Sequence, residues 1–170
     1  MRLYVLERTQ FIPQSRAEVF VFFAEAGNLQ RLTPAFLSFR ILTPLPLHMR
    51  AGVLIDYQLR LFGLPFRWRT CIATFAPPYR FTDVQVHGPY RYWHHLHEFR
   101  LAPGGTEVVD RVEYVMPLGP CGTLLHALCV RRLLGRIFDY RREHLQALFS
   151  LGDATSLPGA CSGQDASTAH

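Results

Sequence analysis

The sequence has no lysine, only four cysteines and no long hydrophobic run. Its basic side chains are arginines spread along the chain without a stripe or an arm, so we expect no nucleic-acid partner. The cysteines make no C-x-x-C pair and no zinc-type spacing, which predicts reduced structural thiols. Because no apolar stretch approaches the length that crosses a bilayer, we expect no integral membrane segment.

Signals for export, phosphate binding and nucleophilic catalysis are missing as well. The opening residues MRLYVLERTQ lack an apolar run and a small-residue cleavage site, so we expect a cytoplasmic protein. The pair Gly104-Gly105 is typical of a hairpin turn rather than a phosphate-binding loop. No serine or cysteine lies in a nucleophile elbow. The sequence therefore predicts no cofactor, and it leaves the oligomeric state open.

The chain does contain enough apolar material for one domain. It has 170 residues, of which 49% are hydrophobic, and a formal net charge of +5. This combination is typical of a globular protein with a weak preference for anionic partners. Residues 1–149 are predicted to form this single domain. Residues 150–170 are rich in serine, glycine, alanine and threonine, and we expect them to form a disordered tail.

The longest predicted element is a C-terminal helix over residues 122–149. Its apolar residues recur at the helical period and gather on one side, while charged and amide side chains gather on the other. An apolar stripe of this length and width must pack against an apolar surface. The stripe consists of Ala127, Val130, Leu133, Leu134, Ile137, Phe138, Leu145, Leu148 and Phe149.

The chain before this helix is mostly strand-like. Ser15 and Glu18 form a capping-box pattern that predicts a helix over residues 15–26, and a second short helix is expected over residues 28–32. Strands are predicted from period-two alternation between glycine and proline turns. They cover residues 2–10, 37–42, 53–62, 66–75, 80–86, 90–101 and 106–116.

The connections between these strands are short, so neighbouring strands should pair in antiparallel fashion. The strands show a single apolar face, which one covering layer can bury. We therefore predict an α+β fold. A curved antiparallel sheet of about six to seven strands wraps around the long C-terminal helix, and two short helices follow the first strand.

Several phrases of the sequence resemble one known superfamily. They are VFVFFAEAGNLQRLTPAFLSFRI at 19–41, GVLIDYQLRLFGLPFRWRT at 52–70, GPYRYWHHLHEF at 88–99, DRVEYVMPLGP at 110–120 and IFDYRR at 137–142. In this order they are similar to a bacterial branch of the START-like (SRPBCC) superfamily, also called polyketide cyclase/dehydrase-like. The resemblance covers residues 1–149 and implies the helix-grip fold.

The resemblance also implies a class of function. Members of the superfamily bind lipids, sterols or polyketides, cyclise aromatic precursors or sense ligands, and they use a cavity between sheet and helix. We therefore expect binding of a small, mainly apolar molecule of lipid, polyketide or aromatic type. The alternative is a cyclase, dehydratase or isomerase in which a pocket histidine acts as acid or base.

A further alternative concerns the polar side of the long helix. Its arginines form either a solvated face or a docking surface for an acidic partner or an anionic membrane. These residues are Arg131, Arg132, Arg136 and Arg142.

The strand at 90–101 carries the most distinctive site candidates. Trp93, His95, His97 and Phe99 share one face by alternation, and the two large aromatic side chains indicate that this face points inward. The histidines are then either ligand anchors or acid/base groups, or they are hydrogen-bonded core residues. His95 and His97 are therefore candidates for catalysis as well as for ligand binding.

The following strand adds Asp110 and Tyr114, which share one face. If this face points inward, both side chains can orient the histidines. A buried Asp110 then needs a partner, either a histidine or an arginine, because an isolated buried carboxylate is costly. Asp110 is thus the third catalytic candidate. The alternative is an ion pair at the strand end with Arg100 or another surface arginine.

Other candidates for the cavity wall come from the helix and from two earlier strands. Arg141 falls within the apolar stripe, close to Ile137. Its guanidinium there must meet a ligand anion or a carboxylate such as Asp110, or extend to solvent. Tyr57 and Trp68 either wall a flat or aliphatic ligand or simply pack in the core.

A metal site is not expected from the sequence. His95 and His97 supply two imidazoles on one side of a strand, and a carboxylate would complete a three-ligand set. The His-x-His spacing alone is a weak signal, so the sequence predicts no metal.

Overall fold

A computed structural model of the protein describes residues 2–61 and 63–150. The strands are β1 (Leu3–Ile12), β2 (Arg40–Ile41), β3 (Leu54–Leu61), β4 (Leu64–Ala76), β5 (Arg80–His87), β6 (Tyr92–Ala102) and β7 (Gly105–Val115). Helices α1 (Arg16–Ala24) and α2 (Ala26–Arg31) follow β1, and a 3-10 turn (Ala35–Leu37) precedes β2. The C-terminal helical segments are α3 (Gly119–Leu125) and α4 (Arg131–Ser150), joined by a π-helical turn (His126–Val130).

This architecture confirms the predicted α+β fold with two short helices after the first strand. The second strand is much shorter than the segment predicted at 37–42, because the 3-10 turn extends to Leu37 and Ser38 after it has a positive φ of 45°, which is not a strand conformation. The tail predicted for residues 150–170 lies, after Ser150, outside the described residues. Among the described helices, none is both long and apolar enough to cross a membrane.

The seven strands form one antiparallel sheet in the order β1-β7-β6-β5-β4-β3-β2. The turn between β6 and β7 is tight, and Gly104 at its corner has a positive φ of 78°, a conformation that glycine adopts without steric cost. This turn pairs Ala102 with Gly105 and so fixes the register of both strands. The pairing of β4 with β5 contains two register shifts, and irregularities of this kind bend a sheet.

The C-terminal helical segments pack on one face of this sheet. Their buried residues recur every three or four positions: Gly122, His126, Val130, Leu134, Phe138, Arg141 and Leu145. The main core cluster contains three of these helix residues together with Ile55, Trp93 and Val112 from the sheet. Ala127 is exposed although it was predicted to belong to the apolar stripe, because the wider π-helical turn shifts the helical phase before Val130.

A second core lies under α1. Ser15 and Glu18 form the predicted capping box at its start. Phe20 from this helix packs with Phe81, Phe99 and other apolar side chains of the sheet. Phe23 of α1 and Phe149 at the end of α4 also pack against this second core.

Leu145 tests how firmly the long helix is packed. Its side chain is 1% exposed, so Leu145→Ala should leave a cavity and lower the free energy of unfolding by about 2–5 kcal/mol. Leu124 is 61% exposed, and Leu124→Ala should change the same quantity by no more than about 0.5 kcal/mol. Urea unfolding followed by circular dichroism measures both variants. Equally small losses would show that the helix is not packed on the sheet.

Candidate functional site

A largely apolar cavity of about 180 Å³ lies between the inner face of the sheet and α4. Trp68 and Trp93 form part of its wall on the sheet side, and their rings meet edge to face with centroids 5.2 Å apart. Leu134 and Phe138 form the wall on the helix side. Such a hollow, apolar on most sides with a few polar groups, is typical of a small-molecule site.

The structure brings most of the sequence-predicted site residues to this cavity. The residues that line it are Tyr57, Trp68, Trp93, His95, His97, Ile137 and Arg141. Phe99, Asp110 and Tyr114 lie outside the cavity wall. Phe99 belongs to the core under α1, and the hydroxyl of Tyr114 lies 2.9 Å from His126 Nε2, with which it hydrogen bonds. Asp110 lies behind the two histidines.

Four titratable side chains meet at the sheet side of the cavity: Asp83, His95, His97 and Asp110. Asp83 of β5 is paired with His95 of β6, and His97 is paired with Asp110 of β7. Directly paired residues on antiparallel strands project from the same face, and residues two apart on one strand also share a face. The strand register therefore gathers these four side chains, which we call the carboxylate–histidine cluster.

The cluster is a closed set of contacts. Asp83 Oδ2 lies 3.4 Å from His95 Nδ1 and 3.3 Å from His97 Nε2. Asp110 Oδ1 lies 3.2 Å from His95 Nε2 and 2.6 Å from His97 Nδ1. Hydrogen-bond alignment is found only for His95 Nε2 with Asp110 and for His97 Nε2 with Asp83. Every imidazole nitrogen of the cluster thus faces a carboxylate oxygen, and two of the four contacts are close without being aligned.

In this cluster, burial and the neighbouring charges shift the pKa values in opposite directions. Burial alone would raise the pKa of the Asp83 and Asp110 carboxyls, but the adjacent imidazoles outweigh it and hold both pKa values well below their usual range. Burial alone would lower the pKa of His95, and the carboxylates of Asp83 and Asp110 raise it instead. The cluster therefore carries two carboxylate charges that require positive charge beside them.

Arg141 is a second charged group in the cavity wall. It comes from α4, is 8% exposed, and its guanidinium carbon lies 5.2 Å from the centroid of the Phe138 ring. Within residues 2–61 and 63–150 it forms no salt bridge, and its Nε has no hydrogen-bond partner. The anticipated pair with Asp110 does not form, because that carboxylate contacts both histidines. A buried guanidinium without an anion is unfavourable, so Arg141 is available to a ligand.

Trp68 adds another unpaired donor to the same wall. Its indole Nε1 is buried and has no hydrogen-bond partner in the described part of the chain. The hydroxyl of Tyr57, by contrast, hydrogen bonds with Thr70. Burial, reinforced by the charge of Asp83, raises the pKa of Tyr57, which keeps this hydroxyl neutral. The unpaired polar groups of Trp68 and Arg141 are therefore N–H donors, which suit an acceptor or an anion.

Asp83 is the site residue that sequence reasoning missed. It lies on the strand predicted at 80–86, in the same alternation as buried Phe81, and this alternation was the available signal. Only residues 88–91 separate β5 from β6, but the two strands stop pairing with each other at Val84 and His94. Nine residues lie between these two positions, and the sequence does not show where pairing stops, so it does not place Asp83 opposite His95.

Comparison with known proteins gives a likeness of fold. No family model matches the chain, and no curated protein matches it in sequence. A protein of Thermus thermophilus is 16% identical, with a TM-score of 0.68 over 89% of this chain and 100% of that chain. The Zhui aromatase/cyclase of a Streptomyces species is 12% identical, with a TM-score of 0.63 over 89% and 99% of the two chains. Major latex-like protein 151 of Panax ginseng is 11% identical, with a TM-score of 0.60 over 86% and 97%.

The carboxylate–histidine cluster should contribute more to stability than a surface ion pair does. Asp110→Asn removes a carboxylate that lies between two imidazoles, and we expect it to lower the free energy of unfolding by about 3–5 kcal/mol. The control is Asp56→Asn, which breaks the pair with Arg69, whose side chains are 40% and 49% exposed. This change should cost at most about 1 kcal/mol. Urea unfolding at neutral pH compares them, and an equal loss in both variants would contradict the strength assigned to the cluster.

Proposed function

We propose, on the premise of its START-like helix-grip fold, that the protein binds a small, mainly apolar molecule with one anionic group in the cavity between sheet and α4. The observation that carries this proposal is Arg141, a buried guanidinium in an apolar wall without an anionic partner among the described residues. A ligand carboxylate would supply the missing charge through charge-assisted hydrogen bonds. The unpaired Nε1 of Trp68 would add a further donor.

The size of the cavity favours a compact ligand. Its volume of about 180 Å³ is close to that of an engineered cavity of about 150 Å³ that holds one benzene molecule. It is below the roughly 300–1,000 Å³ of sites for drug-sized ligands. Aromatic walls from Trp68, Trp93 and Phe138 suit a ring. An aromatic acid with one ring, or a short acyl chain with a carboxylate, would fit this volume and carry the anionic group that Arg141 lacks.

The same geometry favours binding over acid–base catalysis by a histidine. A general acid or base needs a nitrogen within hydrogen-bonding reach of the substrate. The nitrogens of His95 and His97 already face Asp83 or Asp110, at 2.6 to 3.4 Å. The cyclase, dehydratase or isomerase alternative therefore requires the cluster to rearrange, whereas a ligand anion at Arg141 requires no such change.

Intrinsic fluorescence tests the proposal, because both tryptophans of the chain, Trp68 and Trp93, line the cavity. The probe 3-phenylpropionate, a one-ring carboxylate, should change the emission saturably. It should bind roughly 10- to 100-fold more tightly than its neutral counterpart 3-phenylpropanamide, since a hydrogen bond to a charged group contributes about 1.5–3 kcal/mol. Titration of the full chain with both probes at one ionic strength gives the ratio of dissociation constants.

Two arginine variants show whether Arg141 causes the tighter binding of the acid than of the amide. Arg141→Met should bring the two dissociation constants together, whereas Arg142→Met, at an exposed neighbouring position of α4, should leave their ratio unchanged. The proposal fails if the wild-type protein binds the acid and the amide equally. It fails equally if neither probe produces a saturable change.

A further inference from the structure

Three donor atoms of the carboxylate–histidine cluster converge on one point of the cavity wall. His95 Nδ1 and His97 Nε2 lie 3.4 and 3.3 Å from the same oxygen, Asp83 Oδ2. Donor atoms of these three residues lie within 4.8 Å of one another. The two imidazole centroids are 3.9 Å apart, with an angle of 43° between the ring planes. The rings are thus close and inclined to each other while both face one carboxylate.

The separations within this group also match the spacing of ligands around a metal ion. Charge-assisted hydrogen bonds between nitrogen and a carboxylate usually span about 2.7–2.9 Å, so the contacts of 3.3 and 3.4 Å at Asp83 are long. An ion with bonds of about 2.0–2.1 Å to nitrogen and oxygen places neighbouring tetrahedral ligands about 3.3 Å apart. The distances from Asp83 to both histidines match this spacing.

Asp110 lies where a carboxylate that orients metal ligands is usually found. Its Oδ1 faces the second nitrogen of each imidazole, His95 Nε2 at 3.2 Å and His97 Nδ1 at 2.6 Å. Metal-bound histidines usually donate this second N–H to a carboxylate or carbonyl, which fixes the tautomer and the orientation of the ring. Asp83, His95 and His97 line the cavity, and Asp110 does not. The cluster therefore has three donors toward the cavity and one support behind them.

The charge of the cluster also suits a divalent cation. Asp83 and Asp110 bring two acidic side chains against both imidazoles, at distances of 2.6 to 3.4 Å. A dication together with two neutral imidazoles and two carboxylates has no net charge. Neutral groups of this kind are tolerated in an apolar wall far better than uncompensated charge.

We propose that Asp83, His95 and His97 bind one divalent transition-metal ion, with Asp110 holding both imidazoles from behind. Two imidazoles and one carboxylate suit ions such as Zn²⁺, Co²⁺ and Fe²⁺, and three protein ligands leave coordination positions open toward the cavity. The sequence predicted no metal because the His-x-His spacing alone is a weak signal, and the third ligand, Asp83, comes from another strand. This site is independent of the proposed ligand binding, since the ion needs no organic molecule.

Calorimetric titration of the full chain with Zn²⁺, after treatment with a chelator, tests the site. The wild type should bind one ion per chain through this cluster. Asp110→Asn should weaken that binding roughly 10- to 100-fold, and His97→Gln should weaken it further because a ligand is lost. The matched control is His94→Gln, on the same strand but with its side chain on the opposite face, and its affinity should equal that of the wild type.

Nuclear magnetic resonance on the wild-type chain decides the question even where a variant does not fold. With ¹⁵N-labelled histidine, Zn²⁺ should shift the imidazole nitrogens of His95 and His97 and leave those of His94 in place. The proposal is overturned if those two imidazoles are unchanged at millimolar Zn²⁺, or if the ion shifts only other histidines. Full affinity in a folded His97→Gln variant would overturn it as well. None of these outcomes bears on whether 3-phenylpropionate binds at Arg141.

Discussion

The contact between the long C-terminal helix and the inner face of the sheet is the constraint on which the rest of the structure depends. Seven antiparallel strands with one apolar face must be covered, and Val130, Leu134 and Phe138 provide that cover. The register shifts between β4 and β5 bend the sheet. Between this bent sheet and the helix lies a cavity of about 180 Å³.

What makes this cavity more than a packing defect is the polar chemistry of its wall. A void in a core is normally lined by apolar atoms, yet this one is lined by Asp83, His95, His97 and Arg141. The first three belong to a buried network in which every imidazole nitrogen has a carboxylate partner within 3.4 Å, although His97 Nδ1 forms no aligned hydrogen bond. Arg141 lacks such a partner among the described residues. The anionic group of the proposed ligand would supply this missing partner.

The fold was predictable from the sequence because its signals are local. The capping box at Ser15, the strand alternation and the period of the long helix each act within a few residues. The two-residue turn around Gly104 even allowed His97 and Asp110 to be placed on paired strands. The register of β5 with β6 was not predictable, because the two strands stop pairing at Val84 and His94, several residues before the turn between them. The alternation along β6 also could not show that Phe99 lies in the core under α1 rather than in the cavity wall.

The central claim is that a small apolar acid occupies the space between sheet and helix, and intermolecular nuclear Overhauser effects test it most directly. With methyl-labelled protein and 3-phenylpropionate, the account predicts contacts from the phenyl ring to Ile55 on the sheet and to Leu134 and Ile137 on the helix, all of which line the cavity. Contacts to methyl groups on both sides at once are possible only for a molecule inside. Contacts restricted to exposed methyl groups, such as those of Leu118 and Leu124, would contradict the account.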